Sequence, residues 1–219
     1  MATTIPEAAS TAADQKSDIG FSVHELEYLL SIAPGDSADR SADLLNVAPV
    51  PGIDETILNG GASLLSSGRL EVTDDGSYRP VGAALIVAFI LSTANRWHFM
   101  SGGTAESVDA GAFIESPSGG VIAQPRTLGT WWFVLLDPSA DPAQVLVDTV
   151  LGLADSGSRA GVTLRTATVS DDRTFSVRHE DDEWAYGFGP SDSDDPTRIV
   201  EATTRDSVVA ALRAFSGDS

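Results

Sequence analysis

The side chains best suited to metal binding or proton transfer in this 219-residue chain are three histidines, His24, His98 and His179. A zinc site gathers its ligands at short intervals along the chain. Here each histidine falls in a different element, so the pattern points to structural or solvated histidines. There is no cysteine, which excludes disulfides, thiolate metal sites and thiol nucleophiles. No G-x-S-x-G nucleophile elbow, phosphate-binding loop or G-x-G-x-x-G fingerprint occurs. Gly187-Phe188-Gly189-Pro190 reads as a strand running into a turn. The acidic run Asp192-Ser193-Asp194-Asp195 superficially resembles a calcium loop, but the sixth position is Thr197 where a glycine is needed and the twelfth is Thr203 where a bidentate glutamate is needed. The acidic clusters at 74–75, 171–172 and 180–183 coincide with expected turns, where aspartate suits the backbone geometry. No catalytic residue, cofactor or metal is therefore expected, and a non-enzymatic binding protein is the leading expectation, although these residues by themselves do not name a function.

The elements that would position a binding surface begin with a helix–hairpin–helix passage over residues 64–95, LLSSGRLEVTDDGSYRPVGAALIVAFILSTAN. Upstream, Ser22 and Glu25 have capping-box spacing, and Phe21 is placed to pack on Leu26 as a hydrophobic staple. That helix runs to Pro34-Gly35. Residues 35–53 read as an acidic linker, extended at Pro49-Val50-Pro51-Gly52. Asp54 is a candidate cap for a second helix with Ile57, Leu58, Leu64 and Leu65 on one face. Strands at 69–73 and 77–79 flank an Asp74-Asp75-Gly76 turn. With Pro80 near its first turn, the following helix carries no charge and is expected to be buried, with Leu85 and Phe89 in the core. An uncharged run of this length, with its Ser and Thr, is too short and too polar for a bilayer span.

A strand from Trp97 ends at Gly102-Gly103, and a meander follows at 111–115, 121–124 and 130–136. A helix is expected at 141–155, then strands at 161–169, 173–179 and 183–188. In the last, Trp184, Tyr186 and Phe188 alternate with period two, as in a half-buried strand. An acidic loop at 191–196, a strand at 197–202 and a helix at 204–215 close the chain. Short connections favour antiparallel pairing. The fold class is α+β, a mostly antiparallel sheet flanked by helices, preceded by the helix–hairpin–helix segment. Residues 1–19 read as a flexible tail without the apolar core of a signal peptide. Residues 20–219 read as one domain or as two closely packed halves, 20–136 and 137–219.

The net charge is −19, with 32 acids against 12 arginines and one lysine. The carboxylates concentrate in the flanks, and residues 61–136 are nearly neutral. Phosphate neutralisation needs clustered Lys and Arg, so nucleic acid and anionic membranes are poor partners. The charge serves solubility in a salt-adapted or high-GC actinobacterial proteome, or it recognises a basic protein. A cytoplasmic location is the default without disulfides or an export signal. Trp131-Trp132 point to opposite faces of their strand. Either both are covered within the fold or one is a protein-binding hot spot.

The passage from LLSSG through the DDG turn and Arg79-Pro80 into the apolar helix, followed by the aromatic strand 96–101, resembles the N-terminal portion of EspG-type chaperones of type VII (ESX) secretion. The later meander and the closing helix at 206–215 are similar to that family's C-terminal plan. The resemblance implies a sheet flanked by helices in a cytosolic non-enzyme that keeps an aggregation-prone helical secretion substrate soluble. It transfers no functional residue. Two other readings stand beside it. One is an acidic immunity or antitoxin protein masking a basic toxin. The other is a winged-helix regulator, which the acidic balance of residues 54–95 opposes. For the partner's site, the small-residue loop at 101–111 and the strand after it offer Val108, Phe113 and Ile114 as apolar contacts.

Overall fold

The computed structural model describes residues 18–47, 55–104, 106–157, 159–190 and 198–217. The tail before residue 18, Pro49–Gly52, the expected cap Asp54 and the expected loop 191–196 lie outside the described residues. Among those described, the chain forms six helices and eleven strands. Nine strands form one antiparallel sheet in the order 18–22, 130–135, 119–126, 108–116, 96–103, 159–167, 172–180, 183–190 and 198–203, and strands 70–72 and 78–80 pair separately as a hairpin. The α+β class read from the sequence holds. The chain divides into two compact units.

The unit comprising residues 15–96 and 114–138 opens on a short strand, β1 (Asp18–Ser22), which runs straight into helix α1 (Val23–Ser31). Ser22 Oγ accepts the Glu25 N–H at 3.2 Å while the Glu25 carboxylate accepts the Ser22 N–H at 2.8 Å. This reciprocal bonding satisfies two of the free donors of the first turn. Phe21 and Leu26 are both buried, as the staple requires. β1 pairs with β7 (Thr130–Leu135), and β7 pairs with β6 (Gly119–Arg126). In this register Val121, Ala123, Trp131 and Phe133 share one buried face, and Phe21 packs edge-on against Phe133 with centroids 5.8 Å apart.

Residues 36–44, expected as linker, are instead helix α2 (Asp36–Leu44). Its inward side consists of Ala38, Ser41 and Ala42, too small and too polar to produce a readable apolar period. Helix α3 (Glu55–Ser66) buries Ile57, Gly60, Gly61 and Leu64, whereas Leu58 and Leu65 are exposed. Adjacent residues are about 100° apart on a helix, so each Ile–Leu or Leu–Leu pair divides between inside and outside. The hairpin β2 (Leu70–Val72) and β3 (Tyr78–Pro80) includes Pro80 as its last strand residue. Helix α4 (Gly82–Thr93) therefore starts after the proline.

The other unit holds residues 97–113 and 139–219. Its strands are β4 (Arg96–Gly103), the larger part of β5 (Val108–Ser116), β8 (Arg159–Ala167), β9 (Asp172–Glu180), β10 (Glu183–Pro190) and β11 (Arg198–Thr203). Met100, Leu164 and Phe175 stand side by side across β4, β8 and β9, with Val162 and Val177 paired two residues away. Helix α5 (Pro142–Ala154), capped by Asp141, and helix α6 (Arg205–Gly217) pack on these strands. Phe175 meets Phe215 of α6 at 5.3 Å and stacks on Tyr186 at 5.5 Å.

Candidate protein-binding surface

Helix α4 is the element that departs furthest from its sequence expectation. A helix apolar on every side is expected to be covered on every side. Here Ala84, Val87, Ala88, Ile90 and Leu91 face inward, while Leu85, Ile86 and Phe89 are 46%, 45% and 49% exposed. The placing of Leu85 and Phe89 in the core is therefore corrected. The helix is held from one side only, and its outward positions, spaced i, i+1 and i+4, form a short stripe of large apolar side chains.

The groups around the stripe leave it without competing polar functions. Ser92 Oγ and Thr93 Oγ1 both donate to the Phe89 carbonyl, at 3.2 and 2.7 Å. Helix α2 is clamped to the end of α4 by Ser41 Oγ donating to the Leu91 carbonyl and Ser37 Oγ to the Ala94 carbonyl, each at 2.7 Å. With its alanine side turned in, α2 leaves Asp36, Asp39 and Asp43 exposed along its outer side. Solvent-exposed apolar surface thus lies on α4, while the carboxylates of α2 lie on the side of that helix away from its Ser37 and Ser41 contacts. A contiguous apolar patch on a soluble protein's surface marks an interaction site far more often than an accident of packing.

In the same unit an open cleft of about 490 Å³ lies along β1, lined by Phe21, Glu25, Ser63, Arg69 and Trp132 among others. Its polar groups are bonded to one another. Glu25 accepts from Ser22 and, at 2.8 Å, from Ser63. Arg69 donates to the Gly20 carbonyl at 2.7 Å and lies over the Phe21 ring at 5.1 Å. Such a set braces the strand to the helices. Trp131 is buried and Trp132 is 43% exposed beside this cleft, so the pair splits between the two faces of its strand.

The hairpin turn is stiffened by Asp75, whose carboxylate accepts from the Thr73 and Ser77 hydroxyls and the Ser77 N–H. These bonds favour the ionised form and hold its pKa down to about 2. Burial raises the Tyr28 phenol above its usual value, with a further push from neighbouring Tyr78. Across β8 and β9, the hydrogen bond to Asp172 raises the Arg165 pKa further.

The three histidines do not converge. His24 Nδ1 is 3.3 Å from Glu27, buried His98 bonds Thr166 Oγ1 at 2.9 Å, and His179 stacks on Trp184 at 4.2 Å. Among the described residues no group of three or more His, Asp or Glu could hold a metal ion, and no helix is long and apolar enough to cross a membrane. Of the residues expected at the partner's site, Val108 is 72% exposed, whereas Phe113 and Ile114 are completely buried. The alternation breaks there because residues 111–114 are covered on both faces of β5. The α4 stripe was missed because a run without charge reads as core.

No family model matches the chain, and no curated protein matches it. Among solved structures, the chain is similar to the type VII secretion system chaperone EspG5 of Mycobacterium tuberculosis, solved in complex with a PE25–PPE41 dimer. The match has a TM-score of 0.50 at 12% identity and covers 90% of this chain and 95% of that one. At that identity the likeness is one of fold.

Proposed function

We propose that this chain is a non-enzymatic cytosolic binding protein of the secretion-chaperone kind, which keeps an aggregation-prone helical partner soluble. The observation that carries the reading is the row of large apolar side chains on α4, exposed on a chain of net charge −19. An acidic protein gains nothing in solubility from displaying Leu85, Ile86 and Phe89, and a partner that covers them supplies the reason for their exposure. The fold shared with a chaperone solved in complex with a PE25–PPE41 dimer supports a protein partner. Val108, the first residue of β5 in the other unit, is exposed and is a separate candidate contact under this reading.

The test is coexpression with small helical proteins encoded beside this gene. Expected is a partner found in inclusion bodies when expressed alone and in the soluble fraction, in a complex of fixed stoichiometry, when this chain is present. No gain in solubility with any neighbouring helical protein would refute the carrier role. An inhibitory complex with an adjacent basic nuclease would replace it with the immunity reading.

A further inference from the structure

We propose that Asn59–Gly60 is a deamidation site held shut by the packing of α3 on α1, and that its reaction is a one-way step after which α3 cannot dock again. The inference is independent of the binding reading above. The chain has three asparagines, and Asn59 is the one followed by glycine, since Asn46 and Asn95 precede Val47 and Arg96. Loss of an asparagine amide begins when the main-chain nitrogen of the next residue attacks the side-chain carbonyl carbon. A side chain on that next residue stands in the way, and glycine at 60 removes the obstacle. Asn59 is exposed on α3, while Gly60 is buried.

The reaction needs no co-reactant beyond water. The Gly60 nitrogen bonds to Asn59 Cγ, the Cγ–Nδ2 bond breaks, and the Gly60 proton leaves with ammonia. Water then opens the resulting five-membered imide. Entry at Cγ restores the main chain with aspartate at position 59. Entry at the main-chain carbonyl carbon of residue 59 leaves the chain running through Cβ and Cγ, an isoaspartate with one extra main-chain carbon. In either product a carboxylate replaces an amide, with no oxidation or reduction.

Helix α3 opposes the first step. Inside an α-helix the Gly60 N–H is donated to the carbonyl four residues back, and ring closure requires Asn59 to abandon its helical ψ. The helix is in turn fixed to α1. A methyl group on Gly60 would stand 2.0 Å from the His24 carbonyl oxygen, and one on Gly61 would stand 2.6 Å from the Tyr28 ring. Ile57 and Leu64 are buried, and Ser63 Oγ donates to Glu25 at 2.8 Å. Reaction therefore waits on local opening of α3. The same closeness forbids return, because an isoaspartate displaces Gly60 by one main-chain atom where α1 leaves less room than a methyl group needs. Asp75–Gly76, the one Asp–Gly pair in the chain, is guarded differently. Its carboxylate is held ionised by bonds from Thr73 and Ser77, and an ionised carboxylate is a poor target for attack.

The test is incubation of the full chain at mildly alkaline pH, with and without denaturing urea, followed by peptide mass spectrometry that separates isoaspartate from aspartate. In urea Asn59 is expected to react first, with Asn46 and Asn95 lagging. Without urea it is expected to react at least about tenfold more slowly, since each 1.4 kcal/mol of opening free energy removes about nine-tenths of the open population. Leu64→Ala, which loosens α3 from α1, should raise the rate in buffer about tenfold or more and leave the rate in urea unchanged. If circular dichroism shows Leu64→Ala unfolded, Leu64→Val replaces it with an increase of the same direction. After refolding, the isoaspartate chain is expected to melt about 5 °C or more below the unreacted one, whereas Asn59→Asp stays within about 2 °C. An Asn59 that does not react in urea would remove the site. Equal rates with and without urea, or no acceleration in the Leu64 variant, would remove the gate. An isoaspartate chain that melts with the unreacted one would remove the one-way step, and any of these results overturns the proposal.

Discussion

Replacing Gly60 with alanine and replacing Gly152 with alanine are the same chemical change in two helices, and the structure gives them opposite signs. Alanine is about 1 kcal/mol better than glycine in a helix interior. At Gly152, in α5, an added methyl would meet nothing within 4 Å. Stabilisation by about 0.5–1 kcal/mol is expected there. At Gly60, in α3, the methyl would lie 2.0 Å from the His24 carbonyl oxygen and 2.5 Å from its carbon. Both are main-chain atoms of α1, so relief requires the helices to part by about 1.4 Å to reach the 3.4 Å of ordinary contact. Parting strains the Ser22–Glu25 capping box and the Ser63–Glu25 bond. Overpacking of this kind costs about 1–3 kcal/mol and loss of the cap about 1 kcal/mol more. After the helix-propensity gain, Gly60→Ala should destabilise by about 1–3 kcal/mol. Gly61→Ala falls between the two, because the obstacle at 2.6 Å is the Tyr28 ring, which can swing. Urea unfolding followed by far-UV circular dichroism measures all three. Tm should fall by about 2–4 °C for each kcal/mol lost in a chain of this size. A Gly60→Ala variant as stable as Gly152→Ala would show that α1 and α3 do not approach as described.

Phe89→Ala is expected to cost only about 1–2 kcal/mol in equilibrium unfolding, against about 3–5 kcal/mol for Phe133→Ala in the core, and equal losses would mean that α4 is covered on all sides. Asp75 should titrate near pH 2 by carboxyl-carbon NMR. Its folded pKa lies below the unfolded value, so the turn's contribution is complete above about pH 5 and fades as pH falls toward 2; titration near pH 4 would remove the Thr73–Asp75–Ser77 network. Low-salt titration with random duplex and single-stranded DNA should show no binding at micromolar protein, and salt-sensitive binding would restore the winged-helix alternative.

The sequence disclosed its elements where local chemistry is strong and failed where tertiary placement decides. Ser22, Glu25 and Phe21 announce the start of α1 because capping depends on a few neighbouring residues. Strand β1 carries only five residues and owes its existence to a partner more than a hundred positions away, so nothing local marks it. Helix α2 escaped because alanines make its inner side. The errors at Leu58, Leu65, Leu85 and Phe89 share a cause, since hydrophobicity reports the preference of a side chain and not the number of neighbours the fold supplies. The same limit governs Phe113 and Ile114. The small-residue loop expected before them suggested accessible side chains on the strand that follows, yet both end fully buried.

The misjudged face of α4 and the surplus of acid bear on one another. An exposed stripe of leucine, isoleucine and phenylalanine invites self-association, and self-association is what a net charge of −19 opposes. Mutual repulsion of whole molecules acts over about a Debye length, roughly 8 Å at physiological salt, far enough to slow collisions between like copies. Contact between an apolar stripe and an apolar helix acts only on touching, and is indifferent to distant charge. The combination therefore discriminates by sign: it keeps copies of the chain apart while leaving the stripe open to neutral or basic partners. Discrimination of this kind predicts a specific cost. Lowering the net charge by neutralising exposed carboxylates of the other unit, such as Asp181, Asp182 and Glu183 together, should raise light scattering at high protein concentration. Adding Phe89→Asp to that variant should then bring the scattering back down. Scattering that rises equally with and without Phe89→Asp would separate the charge from the stripe and undo the link between them.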